Sequence, residues 1–164
     1  MGYIVPNIFA YIMLAVWPLL TVYFFTRKEL RKAILWSVLG GYMILPSSVS
    51  IDLPALPPLD KFSIIIISVL FCCLIRKRKN LDVFGIKGLA FVCLGMLILS
   101  PFMTVYLNQD QVGFLPGLLM HDGLAISFNN FIFMAAFLLG RRFYAETDDQ
   151  ILIFKYFSLS ALLY

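Results

Sequence analysis

The sequence predicts an all-α membrane protein, a polytopic bundle of transmembrane helices with five complete spans and a truncated sixth. Three observations carry that expectation. Of 164 residues, 62% are hydrophobic and only 13% charged, with a mean hydropathy of +0.92. A water-soluble domain of this size could not hide so much apolar surface. The charges sit in short clusters separated by long uncharged stretches. The basic clusters fall in every second loop, as a bilayer requires.

The spans follow from a ruler laid between charges. A helix rises about 1.5 Å per residue and the hydrocarbon core is about 30 Å thick, so a span needs roughly 20 apolar residues. No charge precedes Arg27, which gives a first span at about residues 6–25. Because no basic region precedes that run, it does not read as a cleavable signal peptide and is expected to be retained. The second span covers 33–45 and ends before Pro46. The third, 62–75, is short, and its flanking Lys61 and Arg76, Lys77, Arg78 and Lys79 extend it by snorkelling. The fourth, 88–107, contains Pro101, so a bend or loosening is expected between residues 97 and 101. The fifth covers 124–140. After the polar patch Glu146 to Gln150, a sixth run, 151–164, carries Lys155 and is still apolar at Tyr164. The chain is thus expected to be one transmembrane domain, the front part of a longer protein.

Charge fixes the expected orientation. The loops at 27–32, 76–87 and 141–150 hold eleven basic residues, whereas those at 46–61 and 108–123 hold only Lys61. The positive-inside rule then puts the first set in the cytoplasm of a bacterial plasma (inner) membrane and the N-terminus on the periplasmic side. Lipid is the partner this spacing implies; nucleic acid is not.

Chemistry is sparse. Asp60 and Asp122 each precede a span, and two readings stay open: they cap helix N-termini, or with Lys61 and His121 they line an outward substrate site. In the second reading the four gather around one entrance at a common depth. Arg76, Lys77, Arg78, Lys79, Arg141 and Arg142 are candidate contacts for anionic head groups, although topology alone also explains them. Asn129 and Asn130 lie inside a span, where an unpaired amide is costly, and are expected to bond to another helix. Cys72, Cys73 and Cys93 sit in apolar runs and read as small hydrophobes. The chain has no Walker-type loop, HExxH, GxSxG or CxxC, so neither a metal nor a cofactor is expected.

Three stretches resemble the N-terminal part of the O-antigen ligase and polymerase-like family of bacterial polysaccharide assembly. They are Leu53-Pro54-Ala55-Leu56-Pro57-Pro58-Leu59-Asp60-Lys61-Phe62-Ser63-Ile64, then Leu115-Pro116-Gly117-Leu118 with His121-Asp122-Gly123-Leu124-Ala125-Ile126-Ser127, and Leu138-Leu139-Gly140-Arg141-Arg142-Phe143. The resemblance implies a many-helix glycosyltransferase that moves a glycan from an undecaprenyl-pyrophosphate carrier on the periplasmic side, without a nucleotide sugar or obligatory metal. The family's catalytic arginines and histidine belong to a later periplasmic loop, so none is carried over here, and His121 is not that histidine. The competing classes are a transporter or flippase subunit and a structural membrane protein.

Overall fold

The computed structural model describes residues 7–47, 49–51, 57–76, 88–114 and 116–163. Among them are six helices: α1 Ile8–Arg27, α2 Leu30–Ile44, α3 Lys61–Arg76, α4 Leu89–Leu107, α5 Met120–Phe143 and α6 Thr147–Leu163. The all-α expectation holds, and each helix overlaps one expected span. Three of them, α1, α4 and α5, are long and apolar enough to cross a membrane.

Five complete spans are not found. At 15, 16 and 17 residues, α2, α3 and α6 reach only about 22, 24 and 26 Å at 1.5 Å per residue. The α2–α3 connection explains two of the three. Leu45 and Val49 are buried in the core, and Ile51 and Leu59 exchange both backbone hydrogen bonds at 2.9 Å. Apolar residues that would have lengthened two helices instead fold back over the end of their hairpin.

Boundaries shift for local reasons. α5 begins four residues before its expected start, because Asp122 acts from within the first turn by accepting a 2.8 Å bond from the Leu119 N–H. α6 begins at Thr147 instead of 151, with Asp148 and Asp149 in its first turn, where carboxylates suit the positive end of the helix dipole.

The core is built on α3, whose run of isoleucines and small residues packs against α1, α2 and α5. Nine of its residues are buried, from Ser63 to Cys73. α2 lets its neighbours close in because Gly40 and Gly41 present no side chains. The Trp17 indole of α1 lies over both glycines, and a Cβ on Gly41 would stand 2.6 Å from Ile65 of α3 and 3.0 Å from the indole nitrogen. Trp17 and Ile65 are themselves fully buried. α4 and α6 stand outside this core: α4 packs mainly on α5, and α6 on α2.

α4 passes through Pro101 as an unbroken helix. Proline cannot donate to the carbonyl four residues back, here that of Leu97. That carbonyl accepts instead from Asn130 Nδ2 of α5 at 3.0 Å and from Ser100 Oγ at 3.3 Å. The expected loosening is thus confined to one backbone bond and made good from the neighbouring helix. α1 also contains a proline, Pro18, which the span ruler passed over.

The tight junction makes a simple prediction. Gly41→Ala should lower unfolding free energy in detergent by roughly 1–3 kcal/mol through overpacking. Gly95→Ala, where a Cβ meets nothing within 4 Å, should be neutral or slightly stabilising; equal effects at both positions would contradict the packing account.

Candidate functional site

Two ends of the bundle differ in chemistry, and side-chain ties define them. At one end Arg76 Nη1 of α3 donates to the carbonyls of Phe25 at 2.7 Å and Lys28 at 3.1 Å, filling acceptors that the last turn of α1 leaves open. Arg31 at the start of α2 pairs with Asp149 at the start of α6. The Tyr144 hydroxyl, just past α5, donates to the Arg31 carbonyl at 2.6 Å. Burial, then the neighbouring Cys73 and Asp149, pushes that hydroxyl's pKa well above its usual value. The C-terminal ends of α1, α3 and α5 therefore meet the N-terminal ends of α2 and α6.

This end carries Arg27, Lys28, Arg31, Lys32, Arg76, Arg141 and Arg142. Of the candidate head-group contacts, Arg76 donates to α1 carbonyls through Nη1 and is exposed, as are Arg141 and Arg142. Lys77, Arg78 and Lys79 lie outside the described residues. Arg142 and Arg31 also line an open hollow of about 430 Å³ with Glu29, Leu30 and Phe143.

The opposite end holds Asp60 and Lys61 at the start of α3 and His121 and Asp122 in the first turn of α5. Cys73 lies within electrostatic reach of Tyr144, and Ile66 lines one hollow with Ala136 and Leu139. The α3 and α5 helices therefore run in the same direction, with Ile66 near Ala136 and Leu139.

Each member is also engaged locally. Asp60 Oδ1 accepts from both the amide and the hydroxyl of Ser63 at 2.8 Å, an N-cap arrangement. The Lys61 ammonium lies 6.0 Å from the Tyr42 ring centroid and 5.3 Å from that of Phe62, within cation–π range. Asp122 holds the Leu119 amide, and His121 is exposed. Both aspartates thus serve helix starts, and the capping reading accounts for their geometry.

The loop before α5 is closed by the Leu118 amide donating to the Asn108 carbonyl at 2.8 Å. Gly117 passes so close to the Gln109 carbonyl that a side chain would overlap it. Leu115 and residues 53–56 lie outside the described residues. Among those described, no three His, Cys, Asp or Glu side chains come together as a metal would require. Cys72 and Cys73 are buried and Cys93 is exposed.

The polar contacts inside the helices are structural. Asn130 reaches Leu97, and Ser127 Oγ donates to the Ile98 carbonyl at 2.8 Å; Asn129 is exposed. The arginine ties and the Pro101–Asn130 pairing escaped sequence reasoning, although a proline four residues past a carbonyl, opposite a mid-span amide, was a usable signal. No family model, curated protein or solved structure matches the chain.

Asn130→Leu removes the donor that replaces the proline amide and should lower stability by on the order of 1 kcal/mol. Asn129→Leu should change it far less. Denaturation of the two variants side by side in detergent tests the assignment, and equal losses would refute it.

Proposed function

We propose that the chain is a multipass protein of the bacterial plasma membrane, with its basic end in the cytoplasm, acting in surface polysaccharide assembly as the lipid-embedded scaffold of an O-antigen ligase- or polymerase-like enzyme. The observation that carries the membrane reading is the segregation of charge. Described basic residues gather at one end, Lys61 and the capping aspartates stand at the other, and apolar side chains such as Leu89, Met96, Phe133 and Phe137 are exposed between them. A bilayer supplies the solvent that such a surface needs.

The polysaccharide reading rests on the motif resemblance. At the start of α3, Lys61 offers a cation to a pyrophosphate carried on a membrane lipid. In this reading the chain is scaffold, and no catalytic role is assigned to its described residues. A transporter would use Asn130 on a polar path, but its amide is committed to the Leu97 carbonyl.

Orientation is tested by cysteine labelling in a background without native cysteines. Ser50→Cys and Gln109→Cys should react with an impermeant reagent added outside the cell, and Arg142→Cys only after permeabilisation; the reverse pattern overturns the topology. Function is tested by Lys61→Ala in the natural host. Polymeric surface polysaccharide should be lost at unchanged protein level and restored by Lys61→Arg. Polysaccharide unaltered even by deleting the gene would end the assembly reading.

A further inference from the structure

α6 leaves an apolar hollow against α2, and we infer that it holds an acyl chain of an anionic membrane phospholipid whose phosphate is met by Lys28 and Lys155. The hollow, about 250 Å³, is lined by Trp36, Leu39, Met43, Tyr156 and Leu159 among others. A second hollow of about 390 Å³ adjoins it across Leu39, Met43 and Ser160 and is also apolar. α6 touches α2 closely near Leu152, Ile153 and Tyr156, which pack on the core. Further along, Phe157 and Leu162 are exposed, and the two helices no longer fill the space between them.

Charge complementarity selects the occupant. At the basic end of the hollow Trp36 and Tyr156 meet edge to face at 5.7 Å, and the Lys28 ammonium stands 5.1 Å over the Trp36 ring. Lys155 is exposed beside Tyr156, one residue before it on α6. Lys32 is paired with Glu29 at 2.9 Å. Asp149 is paired with Arg31, which leaves exposed Glu146 and Asp148, near the start of α6, as the nearby acids outside an ion pair among the described residues. The order along the groove is therefore cation, aromatic pair, aliphatic channel, which matches phosphate, glycerol region and acyl chain in a phospholipid. This rests only on the helices lying in a bilayer and not on the polysaccharide reading.

The chain has two tryptophans, and they make the test direct: Trp17 is 1% exposed in the core, while Trp36 lines the hollow. The full-length protein is reconstituted with phosphatidylglycerol brominated near the glycerol end of its acyl chains, or with equally brominated phosphatidylcholine, and tryptophan quenching is titrated. Brominated phosphatidylglycerol should quench at a roughly tenfold lower mole fraction than phosphatidylcholine. Trp36→Phe should abolish the quenched component, and Lys28→Gln with Lys155→Gln should erase the preference. Absence of Trp36 quenching means that protein, from this chain or a second copy, fills the hollow, and overturns the inference. Equal quenching by both lipids, or a preference that survives the lysine substitutions, overturns it as well.

Discussion

The bundle depends on three helices meeting where one of them has no side chain. Gly41 lets the Trp17 indole and Ile65 approach α2 from two sides at once, and without that approach α1 and α3 could not both pack on it. In lipid the tails are as apolar as leucine, so helices gain little by hiding apolar surface from each other. Close van der Waals packing over small residues has to supply the association instead. Thr21 and Ser37 fit this logic as small, fully buried residues at the positions one turn from Trp17 and Gly41. Their hydroxyls and the indole N–H find no protein partner among the described residues. The junction is thus held by shape, and its polar atoms do not set its geometry.

Ends are fixed by a different force. Helix termini expose carbonyls and amides that packing cannot satisfy, and here charged or hydroxyl side chains from neighbouring helices reach several of them. Arg76 donates to open carbonyls at the end of α1, while the Tyr144 hydroxyl adds a bond to the Arg31 carbonyl within the first turn of α2. Arg76 thereby ties α3 to the end of α1, and Arg31 ties α2 to α6. Arg76 uses one guanidinium nitrogen for this and stays exposed.

Helix number and approximate position were legible in the sequence because each helix lies between charges or prolines, and Lys61 and Arg76 mark the ends of α3 in both descriptions. The number of full spans was not legible. Whether the apolar residues 45–51 extend a helix or fold over its end depends on the Ile51–Leu59 pairing, a contact between positions that the span ruler treats as one loop. The candidate site turns on the same kind of information. Asp60 and Asp122 each sit at a helix start, and how those starts stand to each other depends on packing between α3 and α5 far from either aspartate. Asn130 was legible as a partner-seeking amide, yet its partner became clear only once α4 and α5 were seen to run side by side.

Exposure divides the bundle into a closely packed part and an open part. α3 is buried along most of its length, whereas α4 buries only Pro101 and Val105 and α6 contributes no fully buried apolar side chain among those described. The stability of α4 therefore rests on one interface, where a proline's lost hydrogen bond is replaced from α5. That of α6 rests on an ion pair at its first turn and a few side chains on α2. Helices anchored at one edge leave their other faces to lipid or to further protein. For α6, the anchored end is also the cationic end, so whatever occupies the widening gap meets positive charge first and aliphatic walls second.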